Sequence, residues 1–130
     1  MYYLEENDID LENKTLNLKD PILQDLKNNG CKIIIIMTKA DWCGHCNNTS
    51  PAFENASETI NNNKIIFCYA DTTGERQSEK NLKDKVGKFF KEFKGYPNIT
   101  CFSLENGKEK EKYNGDRSSE SIKKYALSQL

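Results

Sequence analysis

The chain has 130 residues, of which 30% are charged and 36% hydrophobic, with a formal net charge of −1. That length suits one domain and is too short for two, and the near-neutral charge gives no general pull toward nucleic acid or an anionic membrane. No apolar run approaches the ~18–20 residues needed to cross a bilayer.

The first 19 residues are polar and irregular, with a short strand expected at 2–4 or at 15–18; the pattern does not choose between them. Asp20-Pro21 opens a helix, with Asp as N-cap and Pro at the first helical position. Ile22, Leu23 and Leu26 share its apolar side, and Asn28-Asn29-Gly30 closes it. Ile33-Ile34-Ile35-Ile36-Met37 is a continuous apolar run rich in β-branched residues, the pattern of a strand covered on both faces.

Trp42-Cys43-Gly44-His45-Cys46 follows directly. Beyond it an interrupted helix is expected, because Pro51 breaks the hydrogen-bond ladder; Phe53, Ala56 and Ile60 continue its apolar stripe. Residues 65–70 read as a second buried strand. Leu82, Val86, Phe89, Phe90 and Phe93 recur at helical spacing and read as core. Gly95-Tyr96-Pro97 introduces a strand over 99–104. Asn106-Gly107 is a hairpin signal, with 110–113 returning antiparallel. A last helix from Ser118 turns Ile122, Tyr125, Ala126 and Leu130 inward. Strand, helix and strand with a crossover, then helix, hairpin and helix, give an α/β domain over 1–130: a central mixed sheet flanked by helices on both faces.

The chemistry concentrates in the two cysteines spaced C-x-x-C. On the first turn of a helix this spacing brings both sulfurs within bonding reach. The first cysteine then meets the unpaired N–H groups and positive dipole of the helix N-terminus, which stabilise a thiolate relative to a free cysteine of pKa about 8.5. Cys31, Cys43, Cys46, Cys68 and Cys101 make an odd number, unlike a disulfide scaffold. Cys68 and Cys101 lie in apolar runs and read as small buried hydrophobes; Cys31 stands where a strand begins. A zinc site needs four ligands, and one C-x-x-C with His45, the only histidine, supplies too few. Asn47 after Cys46 departs from the C-x-x-C-H haem pattern.

From about residue 33 to 130 the chain resembles a thioredoxin-fold domain, and specifically the catalytic domains of protein disulfide isomerases. Trp42-Cys43-Gly44-His45-Cys46 is that family's active-site sequence, where ordinary thioredoxins carry proline at His45. Pro51 falls at the family's helix kink, and Asp71 at the end of the third strand, as in its V-D-A motif. Gly95-Tyr96-Pro97 matches its G-Y-P with a cis proline. Asn106-Gly107 and Tyr113-Asn114-Gly115-Asp116-Arg117 match its N-G and Y-x-G-x-R ending. Five departures stand out. Met37 occupies the position of a buried acid that serves the second cysteine's proton. Thr38-Lys39 replaces an aromatic pair, Asp41 a proline and Asn47 a lysine. Asn98 replaces the threonine after the cis proline.

The resemblance implies roles residue by residue. Cys43 is the nucleophile and Cys46 the resolving thiol, with protein thiols and disulfides as substrates and no cofactor or metal. Gly44, His45 and Arg117 tune the redox couple: His45 favours the Cys43 thiolate, and Arg117 swings toward Cys46. Trp42, Tyr96 and Pro97 line the substrate groove. The implied potential lies near −180 mV, against about −270 mV for thioredoxin. An oxidase or isomerase is thus expected, acting as a monomer with a reductase or glutathione as partner and contacting neither nucleic acid nor membrane. A thioredoxin-like reductant and a redox-silent binding module are the alternatives.

A cytoplasmic or otherwise non-secretory setting is expected from the polar Met1-Tyr2-Tyr3-Leu4-Glu5-Glu6 start and from the absence of a retrieval signal in Ala126-Leu127-Ser128-Gln129-Leu130. Three N-x-[ST] sequons, starting at Asn47, Asn48 and Asn98, sit beside the groove, where an enzyme of a glycosylating lumen would tend to avoid them.

Overall fold

The computed structural model describes residues Met1–Leu130. In chain order the elements are β1 (Tyr2–Tyr3), β2 (Ile9–Asp10), β3 (Thr15–Leu16), α1 (Pro21–Asn28), β4 (Ile33–Lys39), α2 (Gly44–Thr59), β5 (Ile65–Asp71), α3 (Leu82–Phe89), β6 (Asn98–Ser103), β7 (Glu109–Lys112) and α4 (Ser119–Ser128). Five strands form one sheet in the order β1-β5-β4-β6-β7. β4 is parallel to β5 and antiparallel to β6, and β7 returns antiparallel along β6. This is the thioredoxin fold, a mixed sheet with helices on both faces.

The isoleucine run of β4 explains the layering. Side chains alternate across a strand. Ile33, Ile35 and Met37 therefore meet α2 and α4 through Phe53, Ala56, Ile122, Tyr125 and Ala126. Ile34 and Ile36 meet the other face, with Leu23 of α1 and Leu82, Val86 and Phe89 of α3. A polar residue anywhere in this run would lack a solvated side to turn to.

Several expectations need correction. Both N-terminal stretches are strands. Tyr2–Tyr3 adds in parallel to the free edge of β5, and Thr15–Leu16 pairs with Ile9–Asp10 in a separate ribbon. Local pattern could not reveal this because the partners lie far away in sequence or are only two residues long. α2 runs uninterrupted through Pro51. Hydroxyls on the turn before the proline bond back to the helix: Thr49 Oγ1 donates to the His45 carbonyl (2.7 Å) and Ser50 Oγ to that of Cys46 (2.9 Å). Ile22 and Leu130, expected inward, are exposed at 42% and 51%. α1 needs only Leu23 fully buried, and α4 ends at Ser128, before Leu130. Phe93 lies beyond α3 and is half-buried.

Candidate active site

The dithiol stands where β4 ends and α2 begins, at the carboxyl ends of the parallel strands β4 and β5. Two loops are tied together there. Thr72 donates to the Lys39 carbonyl through its N–H (3.0 Å) and its hydroxyl (2.8 Å), and the Asp41 N–H donates to Thr73 Oγ1 (2.9 Å). The Cys43 N–H donates to the Ala40 carbonyl (3.1 Å), turning the chain into the helix.

Cys43 is the N-cap of α2, and its Sγ accepts the Cys46 N–H at 3.2 Å. The sulfur thus takes the place that a serine or aspartate oxygen holds at other helix starts. Negative charge developing on it meets N–H groups that no carbonyl satisfies. Cys43 is 6% exposed and Cys46 fully buried, the order that an attacking and a resolving thiol require. Burial pushes the Cys46 thiol up to about 11; the hydrogen bond with Cys43 adds to this, while the charge of Arg117 opposes it. All five cysteines are free thiols, with Cys68 and Cys101 fully buried.

The remaining site residues surround this pair. Trp42 is 70% exposed and meets Tyr96 edge-on, with centroids 5.2 Å apart. The Tyr96–Pro97 bond is cis. Asn98, the first residue of β6, pairs with Thr38 across the sheet. His45 is exposed on the first turn of α2. Gly44 has open space around it, so close packing does not demand glycine there. Arg117 is exposed just ahead of Ser118, the N-cap of α4. Met37 is fully buried in the same cluster as both cysteines.

Sequence reasoning missed Ala40, Thr72 and Thr73, which anchor the loop carrying Trp42. The one available signal was the hydroxyl pair at the end of β5. It also missed a polar pair beneath Pro97: Thr38 Oγ1 and both amide atoms of Asn98 are buried without a hydrogen-bond partner.

Fold and dithiol together define a thioredoxin-type oxidoreductase site. The family model for Thioredoxin matches residues 15–128. The thioredoxin-like protein 453L of Invertebrate iridescent virus 6 is 31% identical over 118 residues, covering 83% of this chain and 78% of the viral protein. A relative from Schizosaccharomyces pombe named as a protein disulfide-isomerase, C1F5.02, is 30% identical over 101 residues, covering 76% of this chain but only 18% of its own length. Human ERp44 in a zinc-bound form superposes with a TM-score of 0.64 at 21% identity, covering 98% of this chain and 30% of that one. The chain belongs to the thioredoxin family, whose common chemistry is thiol–disulfide exchange.

Proposed function

We propose that the protein exchanges thiols and disulfides with protein substrates through Cys43 and Cys46, poised toward oxidation and isomerisation. The observation that carries this reading is the Cys43 sulfur capping α2, next to a fully buried Cys46 and beneath an exposed Trp42.

In the reductive direction the Cys43 thiolate attacks one sulfur of a substrate disulfide. The substrate S–S bond breaks as the mixed disulfide forms, and the released sulfur leaves as a thiolate that takes up a proton. Cys46 then loses its proton and attacks the Cys43 sulfur. This closes the Cys43–Cys46 disulfide and releases the second substrate thiol. The substrate gains two electrons and two protons, and the dithiol supplies both. Oxidation is the reverse, and isomerisation stops at the mixed disulfide and lets another substrate thiol resolve it. His45, beside the Cys43 thiolate, stabilises the reduced form and so makes the disulfide the stronger oxidant. Half-buried Tyr96 and Pro97, just ahead of β6 and beside the exposed Trp42, support contact of their backbone with an extended substrate chain.

Insulin reduction and refolding of a scrambled disulfide protein test the reading. Cys43→Ser should abolish both. Cys46→Ser should accumulate a mixed disulfide through Cys43, seen by mass spectrometry. Retained turnover in Cys43→Ser would overturn the assignment.

A further inference from the structure

The segment from Lys80 to Lys94 carries six lysines, at positions 80, 83, 85, 88, 91 and 94, against only Asp84 and Glu92, in a chain whose net charge is −1. Positive charge is therefore gathered on one segment while the rest of the molecule is acidic. α3 buries Leu82, Val86 and Phe89, so Lys83 and Lys88 stand exposed on its outer side, as do Lys80, Lys91 and Lys94 around it. Lys80, Lys83, Lys85 and Lys88 take part in none of the four ion pairs of the molecule.

This lysine face connects physically to the dithiol. Phe90, at the end of α3, stacks on Phe93 (5.9 Å between centroids). Phe93 meets Tyr96 edge-on at 5.4 Å, and Tyr96 meets Trp42 at 5.2 Å. Trp42 immediately precedes Cys43. An aromatic ridge of Trp42, Tyr96 and Phe93 thus runs from the attacking sulfur to the buried Phe90 at the end of α3. The opposite flank has the opposite sign. Asp41, Asp71 and Glu75 line a surface depression there with Tyr3 and Thr73. The cations beside it are engaged: Arg76 pairs with Glu5 and Glu79, and Lys39 lies over the Tyr69 ring at 4.3 Å.

Resting on the dithiol reading above, we infer that the lysine face of α3 is a docking surface for an acidic polypeptide segment, carried by the substrate beside the disulfide under exchange. The ridge seats the apolar residues next to that disulfide, and Lys80, Lys83 and Lys88, exposed and outside every ion pair, attract the acidic arm. Asp41, Asp71 and Glu75 repel it from the other flank and so orient the chain across Cys43. A polyanionic membrane or nucleic acid fits less well, because it would also bring its charge against the acidic flank.

The test uses two disulfide-bonded peptides of one sequence, differing only in an arm of Asp and Glu or of Asn and Gln. The acidic peptide should show a KM about tenfold lower at low ionic strength, with kcat unchanged. The advantage should vanish near ~0.5 M salt, where screening lengths fall to a few ångströms. Lys83→Glu with Lys88→Glu should remove the preference while leaving turnover of uncharged hydroxyethyl disulfide untouched. A cysteine-free acidic peptide, titrated by fluorescence anisotropy, tests the face independently of turnover. Hydroxyethyl disulfide turned over without any arm preference overturns the docking surface alone. Loss of all turnover with anisotropy binding intact overturns the dithiol reading and leaves the surface standing. Sedimentation with phosphatidylserine vesicles, abolished in the double variant and accompanied by no peptide preference, would assign the face to a membrane and overturn the inference.

Discussion

Cys46 and Met37 set the problem at the scale of single residues. Cys46 is fully buried, its thiol is pushed up to about 11, and the charge acting against this shift is that of Arg117. Before resolving a mixed disulfide it must surrender a proton, and Met37, on the same face of the sheet, cannot accept one. Met37→Glu should therefore accelerate resolution near neutral pH, read by stopped flow, while lowering stability by about 2 kcal/mol for an unpaired buried carboxyl. Equal rates in a folded variant would show that water or another group already carries the proton. Thr38 is the opposite case. Its hydroxyl is buried without a partner, so the isosteric Thr38→Val should be neutral or stabilise by up to about 1 kcal/mol in urea unfolding. A marked loss of stability would mean that the hydroxyl is satisfied in solution.

Among the elements, the N-terminal segment depends most on a single group. Asp8 is fully buried, accepts hydrogen bonds from Tyr2 Oη and the Glu5 N–H, and faces Asp20, the N-cap of α1. Burial, reinforced by the Asp20 carboxyl, pushes Asp8 up to about 7; Cys68, also close by, is held protonated by its own burial. A carboxyl whose folded value is raised binds its proton more tightly in the folded state. Its contribution to stability is complete below the unfolded value near 4 and is lost as pH climbs through about 7. The urea midpoint should thus be lower at pH 8 than at pH 5, and Asp8→Asn should flatten the difference. A pH-independent wild type would sink this. The β6–β7 turn is anchored more simply. Gly107 has φ +74°, and a Cβ there would come within 2.9 Å of the Leu16 carbonyl oxygen, in the ribbon whose Leu16 N–H donates to Gly107. Gly107→Ala should cost more than about 1 kcal/mol in the same assay.

For the whole molecule the central quantity is the potential of the Cys43–Cys46 couple. His45 in the intervening position predicts a value near −180 mV rather than about −270 mV on equilibration with glutathione. A thioredoxin-like value would favour the reductant and show that the rest of the site overrides His45. The proposed setting without N-glycosylation is tested at Asn48 and not at Asn98. Asn98 is 1% exposed and so protected by the fold in any compartment, whereas Asn48 is exposed on α2 just after Cys46. A glycan on Asn48 in protein from its native source would overturn that setting.

The amino-acid sequence by itself determined the β4 strand and its two-sided cover, the start of α1 at Asp20-Pro21, the hairpin at Asn106-Gly107 and the dithiol with its helix. Each of these rests on short-range physics: alternation along a strand, a cap two or three residues from its target, a glycine in a tight turn. Tertiary structure alone decided that Tyr2–Tyr3 would extend the sheet, since the partner that satisfies its backbone lies in β5. It also decided that α2 would continue through Pro51, that Asp8 would meet Asp20, and that Ile22 and Leu130 would face water. Those outcomes depend on how much apolar area each helix must bury and on which groups distant segments bring together. Periodicity along one stretch of chain carries neither.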